Sequence, residues 1–132
     1  MAPEPVRVSY ISFLTRDVQA LPDFYKGVFG LEEIEASRSD RYRELSLGQL
    51  RLGFPFVDAY QMLDMSDQAD PTGVRSLVTF AVEDAATVDR LASRAAGLGA
   101  RLVKGPLATG FGQYLAVLLD PEGNGLRISA GA

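Results

Sequence analysis

The chain has 132 residues, of which 47% are hydrophobic and 23% are charged, a composition typical of one folded domain rather than a disordered chain. Its net charge of −4 and the lack of a basic run argue against nucleic acid as a partner, because phosphate would be repelled. The sequence has no cysteine and no histidine, which excludes disulfides, thiolate nucleophiles and imidazole as a base or metal ligand.

The sequence contains no recognisable targeting signal. Residues 1–5 have neither the basic nor the apolar part of a signal peptide, and no apolar run approaches the ~20 residues that a membrane helix needs. We therefore expect a cytoplasmic protein that has no membrane partner.

The first half of the chain predicts a strand, a helix and three further strands. Pro22 suits the first turn of the helix, where its missing N–H costs nothing, and Gly30 suits the position just after the last turn. The predicted elements are a strand at 6–14, a helix at 22–29, and strands at 31–35, 41–47 and 49–54.

The second half repeats this order. Asp17 and Asp84 are separated by 67 residues (84 − 17), and Gly30 and Gly97 by the same number. The predicted elements are a strand at 76–82, a helix at 87–96, and strands at 100–103, 113–119 and 125–129. A shared order of elements at one offset predicts two tandem βαβββ modules, at 6–54 and 76–130, joined by an apolar linker at 55–75.

Two segments outside these strands carry aromatic side chains. The linker contains Tyr60 among apolar neighbours, so it predicts either a lid over a ligand or a dimer interface. The glycine-rich stretch 105–112 predicts a mobile loop in which Phe111 contacts a ligand.

Paired βαβββ modules and two short motifs resemble the vicinal oxygen chelate superfamily, which includes glyoxalase I, bleomycin-resistance proteins and extradiol dioxygenases. The motifs are the run Asp17-Val18…Phe24-Tyr25…Gly30-Leu31-Glu32 and the turn Asp120-Pro121-Glu122-Gly123-Asn124. The resemblance covers about residues 6–130. It implies an α+β fold in which the curled sheets surround a cavity with the helices outside, and it implies a homodimer.

Enzymes of that superfamily hold a divalent metal with four side chains, usually His, Glu or Gln, one from each of four strands. The corresponding positions in this chain are Tyr10, Arg51, Leu77 and Arg127. Arginine stays protonated, and tyrosine, with an ordinary pKa of ~10, is a poor ligand. The resemblance therefore implies the fold without the metal chemistry, and we expect neither a metal nor another cofactor.

Strand alternation assigns side chains to the cavity face. With Tyr60 and Phe111 added, the candidate ligand-binding residues are Tyr10, Ser12, Tyr42, Glu44, Arg51, Leu77, Tyr114, Arg127, Tyr60 and Phe111. Two alternatives remain open. Arg127 could face solvent if the sheet curves less, and Glu44 could be a structural ion pair with an arginine rather than a functional carboxylate.

Three functions are compatible with this pattern. The first is a metal-free protein that binds a small, partly aromatic molecule through tyrosines and arginines. The second is a metal-independent isomerase or lyase that acts on a carbonyl compound, with Glu44 or Tyr10 as the catalytic proton-transfer group. The third is a metal enzyme with an oxygen-only site around Glu44, which is the weakest because hard ions need several oxygen ligands.

Overall fold

Residues 4–69, 73, 74 and 76–131 are described by the structure, which is a computed structural model. In chain order the elements are β1 (Tyr10–Ser12), α1 (Ala20–Phe29), β2 (Glu32–Glu33), β3 (Tyr42–Leu47), β4 (Leu50–Pro55), α2 (Ala59–Met62), β5 (Leu77–Val82), α3 (Ala85–Gly97), β6 (Arg101–Ala108), β7 (Tyr114–Leu119) and β8 (Gly125–Ala130). Short 3-10 turns lie at Glu35–Ser37 and Ser66–Gln68.

The strands form two four-stranded sheets with the same arrangement. The strand order is β1-β4-β3-β2 in the first sheet and β5-β8-β7-β6 in the second. In each sheet the first pair, β1 with β4 or β5 with β8, is parallel, and the other pairs are antiparallel. The predicted α+β fold of two tandem βαβββ modules is therefore confirmed.

The chain divides into two compact units. The first comprises the described residues up to Pro22 together with Leu31–Ala69, and the second comprises Asp23–Gly30 and the described residues after Ala69. These units differ in two respects from the sequence repeat, whose first module was predicted at 6–54. Most of α1 packs within the second unit, and residues 55–69 of the predicted linker belong to the first.

Three predicted strands differ most in length from the observed ones. β1 and β2 are shorter than predicted, and β6 is longer, since it continues through Gly105-Pro106 to Ala108. The prediction of a mobile loop is thus wrong for residues 105–108. The pairing of β6 with β7 slips at two places along the strand, and Gly105 has a φ of +84°, where a Cβ would lie 2.5 Å from the Leu115 carbonyl oxygen. Such irregularities let a Gly-Pro pair remain inside an edge strand.

In the second unit, α1 is attached to the turn between β7 and β8 by a buried hydrogen bond. The Tyr25 hydroxyl donates to Asp120 Oδ2 at 2.7 Å. Asp120 also accepts from the backbone N–H groups of Glu122 and Asn124 and from the Asn124 side chain. Phe29 stacks on Phe80 of β5 at 4.0 Å between ring centroids. Motif residues near both ends of the chain therefore meet in one core.

In the first unit, β3 carries a buried ion pair on the face opposite Glu44. Arg43 is 2% exposed, and its Nη2 and Nε donate to the two carboxylate oxygens of Glu33 at 2.7 and 2.9 Å. Its Nη1 donates to the carbonyls of Val18 and Gln19 at 3.3 and 3.2 Å. A bidentate pair of this kind has good geometry for a buried site, and here it also holds the segment before α1.

Within the described residues, none of the helices has both the length and the apolar character required to cross a lipid bilayer.

We expect Tyr25→Phe to lower the free energy of unfolding by about 1–3 kcal/mol, because buried Asp120 loses a hydrogen-bond donor. Burial, and then Asp120, raise the pKa of Tyr25 above its ordinary value of 10.0. Since the folded state favours the neutral phenol, this stabilisation is present below pH 10 and is lost as the pH rises above it. Urea unfolding at neutral pH and above pH 10 measures both effects.

The matched control for this experiment is Tyr114→Phe, which removes a tyrosine–aspartate bond of the same 2.7 Å length from the exposed surface of α3. Its effect at neutral pH should be clearly smaller. Equal losses in the two variants would contradict the structural role assigned to Tyr25.

Candidate functional site

One face of the first sheet carries five of the ten side chains predicted for the ligand site. Tyr10 lies opposite Arg51, and Ser12 lies opposite Gly53, in the pairing of β1 with β4. Glu44 lies opposite the same Gly53 in the pairing of β3 with β4. Directly opposed residues share a face and alternate residues repeat it, so Tyr42 belongs to this face as well. These side chains therefore share one face of the sheet, as strand alternation predicted, and their role in ligand binding stays a prediction.

Four of these side chains form a hydrogen-bonded group, which we call the Glu44 cluster: Tyr10, Tyr42, Glu44 and Arg51. Arg51 Nη1 donates to Glu44 Oε1 at 3.0 Å, and the Tyr42 hydroxyl donates to Glu44 Oε2 at 2.8 Å. The same Nη1 lies 3.5 Å from the Tyr10 hydroxyl. The Glu44 side chain is 4% exposed, whereas that of Arg51 is 46% exposed. The carboxylate is thus enclosed and the guanidinium is presented at the surface.

Gly53 makes the space in which the cluster forms. A Cβ at this position would lie 2.9 Å from the Tyr42 hydroxyl and 3.4 Å from the Ser12 hydroxyl. A side chain on the central strand would therefore push the Tyr42 ring away from Glu44. Position 53 therefore needs glycine for a steric reason, which the alternation of side chains along the strand does not reveal.

The cluster changes the protonation of its members. Burial raises the pKa of Glu44, but hydrogen bonds from Tyr42 and Ser37 and the charge of Arg51 outweigh it, so the pKa falls below its ordinary value of 4.5. The pKa of Arg51 is raised by Tyr10 and, less strongly, by Glu44. The pKa of Tyr42 is raised by burial and by its hydrogen bond to Glu44. At neutral pH Glu44 is therefore ionised, with no proton to donate and little basicity.

A pocket of about 280 Å³ opens beside the exposed part of the cluster, with Tyr10 and Arg51 in its wall together with Arg7, Ser9 and Gln49. The Arg7 guanidinium lies 3.5 Å from the Gln49 carbonyl oxygen, and Tyr10 is 47% exposed. The pocket therefore offers a cation and an aromatic ring to a small molecule.

In the second unit, Arg127 and Leu77 share a face of the second sheet. Thr79 lies opposite Arg127, and Leu77 lies opposite Gly125, in the parallel pairing of β5 with β8. Arg127 Nε donates to the Thr79 hydroxyl at 2.9 Å. On the same face, the buried Ser129 hydroxyl has no hydrogen-bond partner among the residues that the structure describes. This face thus carries polar side chains among apolar ones, and its arginine binds a hydroxyl instead of a carboxylate.

The expectation that Tyr114 shares a face with Arg127 is wrong. Val117 is the residue opposite Arg127, and Tyr114 lies opposite Ala130 on the other face. The Tyr114 hydroxyl donates to Asp89 of α3 at 2.7 Å. The sequence of β7 is apolar throughout, so alternation could not distinguish its two faces.

The remaining candidates lie in connecting segments. Tyr60 is half-buried in α2, followed by the exposed Met62 and Leu63, and Phe111 is 69% exposed in the turn between β6 and β7. Their predicted roles in ligand binding stay predictions. One contributor to the Glu44 cluster was missed, since Ser37 lies in a 3-10 turn where no periodicity indicates its direction.

The positions predicted to correspond to metal ligands do not match the needs of a divalent cation. They hold a tyrosine, a leucine and two arginines, and none of these supplies a carboxylate or an imidazole. Across residues 4–69, 73, 74 and 76–131, no three His, Cys, Asp or Glu side chains group closely enough to hold a metal ion. Glu44 is therefore the only carboxylate of the cluster, and Arg51 already neutralises it.

Comparisons with known proteins agree with this fold. A family model, Glyoxalase/Bleomycin resistance protein/Dioxygenase superfamily, matches residues 7–128. The chain is 39% identical to a family enzyme of that description from Burkholderia phytofirmans, with a TM-score of 0.90 over 94% of this chain and 98% of the other. No functionally curated protein matches the chain.

Two less similar structures support the fold alone. A glyoxalase-related enzyme from Fulvimarina pelagi is 21% identical, with a TM-score of 0.79 over 95% of this chain and 88% of the other. A lactoylglutathione lyase from Agrobacterium tumefaciens is 22% identical, with a TM-score of 0.72 over 97% of this chain and 96% of the other.

We expect Tyr42→Phe to raise the pKa of Glu44, because a hydrogen bond that lowers this pKa is lost while the burial that raises it remains. A carboxylate whose folded pKa is depressed contributes stability above its unfolded pKa, and this contribution is lost as the pH falls through the folded pKa. The variant should therefore be less stable by about 1–2 kcal/mol at neutral pH, and the difference should shrink in acid.

Carbon-13 NMR of the Glu44 carboxyl measures the pKa, and urea unfolding at neutral and acidic pH measures the stability. Tyr60→Phe is the control, because Tyr60 lies outside the Glu44 cluster and its change should leave the pKa of Glu44 unaltered. An unchanged pKa in Tyr42→Phe would show that the Tyr42–Glu44 bond is not made in solution.

Proposed function

This chain belongs to the glyoxalase/bleomycin resistance protein/dioxygenase superfamily, and from that premise we propose that it is a metal-free binding protein for a small, partly aromatic molecule that carries a carboxylate or carbonyl group. The observation that carries the proposal is the Arg51 guanidinium, exposed on the polar face of the first sheet and held in place by Glu44. Arg51 occupies a position at which the superfamily's enzymes have a metal ligand.

The orientation of Arg51 favours a planar anionic group. Its hydrogen bonds to Glu44 and Tyr10 both come from Nη1 in the described part of the chain. The edge formed by Nε and Nη2 is therefore available, and this edge can donate two parallel hydrogen bonds to one carboxylate. A guanidinium that is already positioned loses less conformational entropy when a ligand binds.

Tyr10 supports the aromatic part of the proposed ligand. Its ring is half-exposed and lines the same small pocket as Arg51. Tyrosine offers a rigid apolar surface on which a ring can stack in an offset or edge-on arrangement. An aromatic carboxylate or an aromatic ketone would thus satisfy both side chains at once.

The second sheet presents a comparable set of groups. Arg127 supplies a guanidinium and Leu77, 42% exposed, supplies an apolar surface. We propose that this face of the second unit also binds ligand. The Ser129 hydroxyl, which has no partner among the described residues, would be a further hydrogen-bonding group.

Metal independence is part of the proposal and is supported by the chemistry of the donor set. Arg51 and Arg127 carry permanent positive charge at two of the four positions, and a cation would be repelled there. Glu44 has two of its acceptor sites occupied by Arg51 and Tyr42. Only its remaining acceptor sites could bind a metal, and one carboxylate does not satisfy a hard divalent cation.

Catalysis by a metal-independent isomerase or lyase is the alternative. Glu44 or Tyr10 would then move a proton while Arg51 stabilised an oxyanion. The lowered pKa of Glu44 makes it a weak base at neutral pH. We therefore favour binding over catalysis.

We expect Arg51→Met to weaken binding of an aromatic carboxylate by about tenfold or more, since a bidentate charge-assisted contact is lost. The probes are a panel of aromatic acids and ketones, titrated into nitrogen-15-labelled protein and followed by NMR at the Ser12 and Gly53 amides. Arg101→Met, an exposed arginine at the start of β6, is the control with the same loss of charge. No saturable shift with any panel member, or equal affinity in Arg51→Met, would refute the binding proposal.

Native mass spectrometry of the gently purified protein tests the other parts of the proposal. We expect the mass of a homodimer, without bound metal. A stoichiometric metal would refute metal independence. Turnover of a carbonyl compound by the protein, abolished in Glu44→Gln, would replace the binding assignment with the catalytic one.

A further inference from the structure

We propose that the first unit carries a second binding site, on the other face of its sheet, for a small organic monocarboxylate with an apolar or aromatic body. The site is a pocket of about 460 Å³, which falls within the ~300–1,000 Å³ typical of small-molecule pockets. The lining residues used in the argument are Asp17, Val18, Arg38, Asp40, Arg43 and Phe56.

The strand pairing places this pocket on the face opposite the Glu44 cluster. Glu44 lies opposite Gly53, whereas its neighbour Arg43 lies opposite Phe54. Because successive strand residues point to opposite faces, Arg43 and Phe54 share the face that Glu44 does not occupy. Phe56, two residues after Phe54, continues on that face and pairs with Thr15. The two sites are therefore separate.

The floor of the pocket is built from buried polar contacts. Arg43, which is 2% exposed, bridges Glu33 to the Val18 and Gln19 carbonyls, so the segment before α1 is held against β3. The Phe56 N–H donates to the Arg41 carbonyl at 2.9 Å, which fixes the start of the opposite wall. A pocket whose walls are already held in place binds with a smaller entropic cost.

Arg38 is the group that would recognise the carboxylate. Its side chain is 41% exposed, and its Nη1 lies 3.3 Å from Glu33 Oε1. Its hydrogen bonds within the described residues use Nη1 alone, so its Nε and Nη2 can donate to a ligand. Glu33 thus positions two arginines. Arg43 is engaged in the buried ion pair, and Arg38 faces the pocket.

The remaining lining groups decide which ligand fits. Phe56 supplies an aromatic surface whose ring is contacted by the Arg41 guanidinium at 5.0 Å, and Val18 adds apolar area.

Two acidic residues also line the pocket. Asp17 uses its carboxylate to cap α1 through the Gln19 and Ala20 N–H groups. Asp40 leaves a negative charge at the pocket. A single carboxylate on an apolar body is therefore favoured over a doubly charged phosphate.

The test is an NMR titration of the full nitrogen-15-labelled chain with three probes: benzoate, inorganic phosphate and benzylammonium. We expect benzoate to shift the amides of Val18, Gln19, Ser39 and Phe56 saturably, with weaker shifts from phosphate and none from benzylammonium. Arg38→Gln should weaken benzoate binding at these amides by about tenfold, and Arg38→Lys, which keeps the charge but loses the planar fork, by less.

Crossed variants separate this site from the Glu44 cluster. Arg51→Met should leave the benzoate shifts at Val18 and Gln19 unchanged, and Arg38→Gln should leave any shifts at Ser12 and Gly53 unchanged. The second site is refuted if benzoate gives no saturable shift at the pocket amides, if benzylammonium binds there more tightly than benzoate, or if neither Arg38 variant alters the affinity. If no aromatic acid or ketone of the panel shifts Ser12 and Gly53 while benzoate still shifts the pocket amides, the proposed function is refuted and this site stands.

Discussion

A buried carboxylate on a central strand is the constraint on which the polar face of the first sheet depends. Glu44 is enclosed, and an ionised carboxylate in that position must receive hydrogen bonds or lose its charge. Tyr42 and Arg51 meet this requirement. The hydrogen bond between Glu44 and Arg51 also holds the Arg51 guanidinium at the surface. Glu44, which a ligand cannot reach, thus positions Arg51, which a ligand can reach.

The same arrangement recurs one residue earlier on the opposite face of β3. Glu33 is almost fully buried, and it holds Arg43 inside the unit and Arg38 at its surface. In both places the acid determines where an arginine points. Two adjacent residues, Arg43 and Glu44, therefore organise two different surfaces of one strand, because alternation sends their side chains to opposite faces. A strand that is polar on both faces is stable here only because each buried charge has a partner.

The two sheets share a strand order but differ in the chemistry of their polar faces. In the first sheet the arginine is paired with a carboxylate, and in the second Arg127 is bonded to the Thr79 hydroxyl. The second unit places its buried carboxylate elsewhere, at Asp120, where it joins α1 to the turn between β7 and β8. The two units therefore share a topology but use their buried carboxylates differently. Glu44 belongs to a charged cluster on the first sheet, and Asp120 holds α1 in the second unit.

The amino-acid sequence by itself determined the duplicated βαβββ order, the polar face of the first sheet and the positions of Arg51 and Arg127, because period-two patterning and turn residues are local properties of the chain. The sequence could not predict which face of the sheet Tyr114 occupies, because every residue of β7 suits a buried face. It could not show that β6 continues through Gly105-Pro106. Glycine is required at position 105 because the Leu115 carbonyl oxygen approaches it closely, and this contact exists only in the folded sheet. The burial of Arg43, the space at Gly53 and the hydrogen bond from Tyr25 to Asp120 were decided by tertiary structure alone. Each depends on which atoms from distant parts of the chain come within contact distance.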